Sequence, residues 1–276
     1  GNFTGIRIMG VFQNNLLAAS AAAASAGGGG AFYSHQIEQS CRWEDSPDQL
    51  EITSFGQAPT SSYKGSFSCW FKLTNVAENG IFTCGNGGGD GELDLRFNSD
   101  GTLRYNLYSG SSQVGDLRTT QVFRDLSGWM HLMVNWDTTD GTSTNRMKIY
   151  INGTQVTDFS SSTYPSQNQN AFFFGNSRKH GIGFFTWNGS GHLEGYLAEI
   201  HATDGTVYTP SQFGESKNGV WIPKDPTGTS YGNNGFYIAF ENASDLGNDS
   251  SGNNNDFTAG GLGTDHQVLD SPTFGS

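Results

Sequence analysis

Two stretches decide the fold: Ser66-Phe67-Ser68-Cys69-Trp70-Phe71-Lys72-Leu73 and Gly128-Trp129-Met130-His131-Leu132-Met133-Val134-Asn135-Trp136-Asp137. In the first, polar and apolar residues alternate with period two, as a strand with one buried face requires. Phe67, Cys69 and Phe71 share one face, with Ser68, Trp70 and Lys72 on the other. In the second, Trp129, His131, Met133 and Asn135 oppose Met130, Leu132, Val134 and Trp136. Apolar residues on both faces predict a central strand covered on both sides. The two together predict the middle of an all-β, two-sheet antiparallel sandwich.

Around them the chain is dense in turns. Strand-like runs at 33–43, 50–53, 81–84, 92–98, 102–108, 113–117, 191–202 and 236–241 are separated by Gly, Asn, Asp or Pro clusters. Phe172 to Gly175 and Gly183 to Trp187 read as two short aromatic strands. Asn98-Ser99-Asp100-Gly101 and Asn152-Gly153 each sit between alternating runs and predict hairpins. Thr209-Pro210-Ser211-Gln212 predicts one capped helical turn, with Pro at the first position. Beyond Asn242 the chain is rich in Asn, Asp, Gly and Ser with little periodicity. Residues 32–241 are therefore expected to form the sandwich, and 242–276 an extension packed on or beside it.

Residues 1–31 are of another kind. Scattered apolar residues (Phe3, Ile6, Ile8, Val11, Phe12, Leu16, Leu17) lead into an Ala/Ser tract and then Gly27-Gly28-Gly29-Gly30. Alanine favours helix and the glycines end it. So short a helix is marginal alone. The segment reads either as a leader without structure or as an attachment peptide on a glycine hinge, and the latter suits a tethered module. An attachment peptide of this kind also predicts self-association, with a trimer favoured.

The charge balance narrows the partners. With 14 Lys and Arg against 26 Asp and Glu, the formal net charge is −12. Nucleic acid is not expected, because phosphate neutralisation needs clustered basic residues. A membrane span is not expected either, since no stretch approaches the ~20 apolar residues it requires. The cysteines (Cys41, Cys69, Cys84) show no metal-ligand spacing, and read as buried free thiols or as one Cys69–Cys84 bridge beside a single thiol.

The order of Trp70-Phe71-Lys72, Gly128-Trp129-Met130-His131-Leu132, Met147-Lys148-Ile149-Tyr150-Ile151-Asn152-Gly153 and Leu193-Glu194-Gly195-Tyr196-Leu197-Ala198-Glu199-Ile200 resembles the concanavalin A-like superfamily. The likeness is to its laminin-G and pentraxin-like branch. A second set resembles virion proteins of marine bacteriophages, including those that infect cyanobacteria. It comprises Tyr33 to Trp43, Tyr196 to His201 with Asp204-Gly205-Thr206, Gln212-Phe213-Gly214, Gly219 to Lys224 and Leu246 to Asn253. This resemblance implies a jelly roll on the virion surface, assembled in the host cytoplasm, as a fibre, tip or capsid-decorating appendage. Other virion proteins would hold residues 1–31, and host-surface polysaccharide would be the ligand during adsorption. The alternative is a purely structural virion protein whose jelly roll packs against neighbours and has no ligand.

Catalysis is not expected. Retaining glucanases of the superfamily carry Glu-x-Asp-x-Glu on one strand, and this chain has Glu92-Leu93-Asp94-Leu95-Arg96-Phe97. The partner carboxyl, needed ~5 Å from the first, is replaced by Arg96 or Phe97. Glu92 and Asp94 then read as solvated positions beside Arg96. For sugar binding, Phe185, Trp187 and Asn188, with Asn176 and Arg178, offer aromatic faces beside amides and a guanidinium. The resemblance also implies rim calcium, for which Asp249, Asn253 and Asp256, or Asp137 and Asp140, are the hard oxygen donors. The other reading of those residues is as Asx turns that cap their own backbone.

Overall fold

A computed structural model describes residues 32–86, 93–171 and 173–273. In chain order the strands are β1 (Ser40–Glu44), β2 (Gln49–Ile52), β3 (Lys64–Leu73), β4 (Asn79–Cys84), β5 (Leu93–Phe97) and β6 (Thr102–Ser109). Then come β7 (Ser112–Val122), β8 (Met130–Asp137), β9 (Met147–Ile151), β10 (Thr154–Gln155), β11 (Phe159–Thr163) and β12 (His180–Ile182). The last are β13 (Glu194–Asp204), β14 (Gly214–Lys217), β15 (Val220–Pro223), β16 (Phe236–Ile238), β17 (Thr258–Gly260) and β18 (Gln267–Val268). One sheet has the order β10-β9-β8-β3-β13-β1-β18, with β16 also paired to β13. The other runs β11-β7-β6-β5-β4-β12-β2-β17, and β14 and β15 form a separate ribbon. The fold is a two-sheet antiparallel jelly roll.

The organising strands behave as their pattern predicts. β3 and β8 pair in register from Lys64 opposite Asp137 to Phe71 opposite Met130. Both lie inside their sheet, and β8 is buried from His131 to Trp136. Between the sheets, Phe67 stacks on Phe82 at 4.8 Å and Trp136 on Phe173 at 3.6 Å. These rings belong to one buried cluster that takes residues from both layers. Each large aromatic side chain so buried contributes roughly 1.5–3 kcal/mol. On the outer face of β3, Ser68 and Trp70 are buried as well, because β15 and the chain near Ile37 cover them. One-faced alternation understated that cover.

Both expected hairpins form. Asn98–Gly101 joins β5 to β6, and Asn152-Gly153 joins β9 to β10 with φ of 47° and 77°. Pro210–Gln212 is a 3₁₀ turn whose expected cap, Thr209, instead directs its hydroxyl to Ser211. All three cysteines are buried and none is in a disulfide, so the Cys69–Cys84 bridge is not formed. Burial pushes the Cys41 and Cys69 thiols far up.

Other expectations are corrected. The first strand is confined to Ser40–Glu44, and the chain before it is held by side chains rather than by a ladder. The described part of the expected strand Phe172 to Gly175, from Phe173 on, and the expected strand Gly183 to Trp187 are turns around β12: Phe174 has φ 62° and Gly183 φ 82°. Their rings fill the core, with Phe173, Phe174, Phe184 and Phe185 all buried. Past Asn242 the chain contributes an edge strand to each sheet, β18 on β1 and β17 on β2. The expected attachment segment, with Phe3, Ile6, Ile8, Val11, Phe12, Leu16 and Leu17, lies outside the described residues, as does Glu92. Among the described residues no helix is long and apolar enough to cross a membrane.

Candidate functional site

The expected sugar loop does not come together as a platform. Phe185 is only 3% exposed, and its ring stacks under Trp187 at 4.9 Å, so one face of that indole is already taken. The Asn188 Oδ1 accepts from Ser190 N–H and hydroxyl, closing its own turn. Asn176 and Arg178 sit in the turn that enters β12, whereas Phe185 to Asn188 sit in the turn that leaves it. About 10 Å of strand separates the two turns at 3.3 Å per residue. The Asn176 carbonyl accepts from the Ser54 hydroxyl, and that of Arg178 from His180 Nδ1–H.

The calcium candidates are committed to protein donors. Asp249 Oδ1 accepts from Tyr237 N–H and Ser251 N–H, each at 2.9 Å. Its Oδ2 accepts from the Ser251 hydroxyl at 2.8 Å and Asn255 N–H at 2.9 Å. Asp256 Oδ1 accepts from Asp249 N–H, and the Asn253 amide donates to the carbonyls of Gly232 and Gly235. Asp137 Oδ1 accepts from Thr139, with Lys64 Nζ 3.7 Å from Oδ2, and Asp140 Oδ1 accepts from Thr142 N–H. Carboxylates surrounded by donors and an ammonium do not fit a divalent cation, which needs converging unoccupied oxygens. Among the described residues no group of three or more His, Cys, Asp or Glu is arranged for a metal ion.

Among the described residues, the buried carboxyls Asp94 and Glu199 are each engaged by neighbouring side chains. Asp94 is 3% exposed rather than solvated. Burial pushes it up to about 7 although Arg96 and Arg104 pull it down. Arg96 Nη1 stands 2.9 Å from its Oδ2. Glu199 sits at a bulge in β13 with φ 48°, where the register with β3 shifts between Ala198 and His201. Its Oε1 accepts from Tyr237 OH at 2.7 Å, while His35 and His201 Nε2 lie 3.5 and 3.4 Å from Oε2. Burial alone would raise this carboxyl, but His201, His35 and Tyr237 hold it at about 2. A group so acidic is a poor proton donor near neutrality, where a general acid needs its pKa close to the working pH.

The groove that the structure does build lies elsewhere, on the outer face of the β8–β3–β13 sheet. The β14–β15 ribbon turns at Asn218-Gly219, with φ of 53° and 81°, and lays Trp221 against Trp70 and Ala198. The Trp221 ring is wedged between two glycines. A Cβ at Gly153 would stand 2.3 Å from its Cζ3, and one at Gly214 2.5 Å from its Cε2. Only glycine at both positions admits the indole so deeply, and Nε1 is buried without a hydrogen-bond partner. Leaving a donor unsatisfied costs about 1–3 kcal/mol, a cost shared here with the core indoles of Trp43 and Trp136.

The rest of the groove is fixed just as tightly. Asn152 Oδ1 accepts from His131 N–H at 2.8 Å, and Asn152 N–H donates to the His131 carbonyl at 2.9 Å, so the β9–β10 turn is clamped to β8. Trp129, just before β8, donates from Nε1 to Asp270 Oδ1 at 3.0 Å. Asp270 also pairs with Lys72, whose Nζ lies 4.4 Å from the Tyr196 ring. Beneath, His131 contacts the Ser68 hydroxyl at 2.7 Å, and burial, with His201 nearby, lowers it to about 3, so it is neutral. The result is a groove of about 620 Å³ lined by Trp129, Asn152, Thr154, Ser216, Val220 and Trp221. It offers two half-buried indoles, one amide and two hydroxyls, and no charged side chain lines it.

Sequence reasoning had Trp129 and the Asn152-Gly153 turn in hand as strand and hairpin, but it missed Trp221 and Asp270 as their partners. Asn218-Gly219 ahead of Val220-Trp221-Ile222 was the available signal for the first.

The family described as the concanavalin A-like lectin/glucanases superfamily matches residues 45–212. No curated protein matches the chain. Among solved structures, the chain is similar to a putative carbohydrate binding protein from Bacteroides ovatus ATCC 8483. The identity is 15% over 86% of this chain and 62% of that one, with a TM-score of 0.53. This chain thus spans less than two thirds of that protein. It is also similar to the native heptameric SAP-like pentraxin from Limulus polyphemus, at 17% identity over 64% of this chain and 82% of that one, TM-score 0.43. A third likeness is to domain 4 of AbnA, a GH43 extracellular arabinanase from Geobacillus stearothermophilus in complex with arabinotriose. There the identity is 20% over 67% of this chain and 80% of that one, TM-score 0.48. At these identities the likeness is one of fold.

Proposed function

The chain belongs to the concanavalin A-like lectin/glucanases superfamily, and on that premise we propose that it is a non-catalytic glycan-binding protein whose site is the Trp129–Trp221 groove. The observation that carries the reading is the two indoles standing beside the Asn152 amide and the Thr154 and Ser216 hydroxyls. Indole faces suit the apolar C–H faces of sugar rings, and amides and hydroxyls match sugar hydroxyls in both donor and acceptor roles. Asn152 spends its Oδ1 on β8 and keeps its Nδ2 donors for a ligand. In this proposal the indoles and neutral polar groups carry recognition without calcium, which the chelator comparison below tests.

The setting we propose is the surface of a bacteriophage particle, where the protein adsorbs host-surface polysaccharide and residues 1–31 attach it to its neighbours. The support is the resemblance of segments such as Gly219 to Lys224 and Leu246 to Asn253 to phage virion proteins. A ligand-free packing role is the second reading. Val220 on the groove, 52% exposed, and Leu269 next to Asp270, 78% exposed, favour it.

The test is titration of the full chain with extracted host-surface polysaccharide, with and without a chelator. Saturable binding that is indifferent to chelator and lost in Trp221→Ala is the expected result. Absence of binding, even when the protein is multimerised on beads to recover avidity, would leave the packing role in its place.

A further inference from the structure

Resting on that reading, we infer that the ligand is an uncharged glycan bound along its chain, across two grooves that meet at the β9–β10 turn. The second groove, about 510 Å³, is lined by Thr120, Gln121, Gln155, Thr157 and Asp158, and it shares Asn152 and Thr154 with the tryptophan groove. Each groove is of the size range of small-molecule sites, about 300–1,000 Å³, and because they share Asn152 and Thr154 a chain longer than either could run across both. The tryptophan groove supplies the partly exposed surfaces of the Trp129 and Trp221 indoles, and the second supplies exposed hydroxyls and amides from residues that meet it at the same turn.

The turn between them does not yield. Asn152 is clamped to His131 by two backbone-directed hydrogen bonds, and Gly153 rests against the Trp221 ring. On the other side, Thr120 N–H donates to the Asp158 carbonyl at 3.3 Å, which ties the end of β7 to the chain that follows β10. A preformed path of this kind binds a chain without first ordering itself, and less of the contact energy is lost to ordering.

Charge selects the class of chain. Neither groove is lined by Lys or Arg, and Asp158 is the charged residue of the pair. With a net charge of −12 behind it, the path repels uronate, sialate and sulfate esters and accepts a neutral chain.

Cello-, xylo- and manno-oligosaccharides from disaccharide to octasaccharide, titrated into the full chain, test this, with polygalacturonate and a sulfated galactan as anionic probes. The Kd of the neutral series that binds is expected to fall by ~tenfold or more, about 1.4 kcal/mol, between disaccharide and hexasaccharide and then level off. The anionic chains are expected not to bind at physiological salt. A Gln121→Ala, Asp158→Ala double variant, with its fold checked by circular dichroism, is expected to bring hexasaccharide affinity down toward that of the disaccharide. Affinity independent of length, a double variant that binds hexasaccharide as the parent does, or a preference for the anionic chains overturns this inference while leaving glycan binding intact. Failure of every neutral and anionic probe overturns the function as well.

Discussion

His180 makes two hydrogen bonds that only its neutral ring can make together. Nδ1–H donates to the Arg178 carbonyl and Nε2 accepts from Phe174 N–H, both at 3.0 Å. Phe55 packs on the ring at 4.7 Å, and burial lowers the imidazole to about 3. Because the folded pKa lies below the unfolded one, protons bind on unfolding, and stability is lost as pH falls from about 6.5 toward 3. The slope is about 1.4 kcal/mol per pH unit for one such group. His131 adds to the loss in the same sense. The urea midpoint is expected to drop between pH 7 and pH 4, and His180→Phe, though less stable at neutrality, should show a shallower slope. Equal slopes would refute the neutral assignment.

Asp94 has the opposite sign. Its raised carboxyl favours the neutral form when folded, so its contribution is present at low pH and fades as pH rises from about 4 through about 7. Asp94→Asn is therefore expected to compare better with the parent at pH 8 than at pH 5 in paired melting curves. The sequence pointed to Asp94 through an incomplete acid triad. It could not show that the position is buried, because burial there depends on which strands flank β5.

At the scale of elements, Gly214 tests how the groove is made. β14 is regular at that position, and a side chain there meets the Trp221 ring before anything else. Gly214→Val is expected to dislodge Trp221 and weaken glycan binding by ~tenfold or more while the melting temperature moves by a few degrees. The C-terminal strap is the second device. Ser271 and Thr273 hydroxyls donate to the Ile37 carbonyl, the Ile37 N–H donates back to Thr273, and Asp270 holds the Trp129 indole. Truncation after Leu269 is expected to lower both the melting temperature and the affinity, whereas an unchanged affinity would show that Trp129 needs no anchor.

The two hairpins with Asn/Gly turns between alternating runs were legible because their signal is local. The ribbon with Asn218-Gly219 was not read as strands, because Gly214-Glu215-Ser216-Lys217 carries no apolar alternation. The aromatic runs at 173–175 and 183–187 are not strands for the opposite reason. β propensity reports how well a side chain packs on a pleated surface, and here the rings pack into the core from turns.

At the scale of the molecule, the sandwich follows from a few strongly patterned strands, while the groove follows from their long-range arrangement. Trp129, Asn152, Trp221 and Asp270 are scattered over more than half of the chain and meet because β8, β9, β15 and the C-terminal strap share one outer face. No local pattern encodes such a meeting, so sequence patterning points to the contiguous aromatic loop at Trp187 and not to this groove. On the proposed reading, the net negative charge and the uncharged groove would together favour neutral glycans.

The most direct test is calorimetric titration of the full chain and of Trp221→Ala with the neutral oligosaccharide series, alongside their melting curves. Saturable binding by the parent, and at least ~30-fold weaker binding by a folded Trp221→Ala, about 2 kcal/mol for a central tryptophan contact, is the expected result. Equal affinity in parent and variant would contradict the groove as the site, and no binding by the parent would contradict glycan recognition itself.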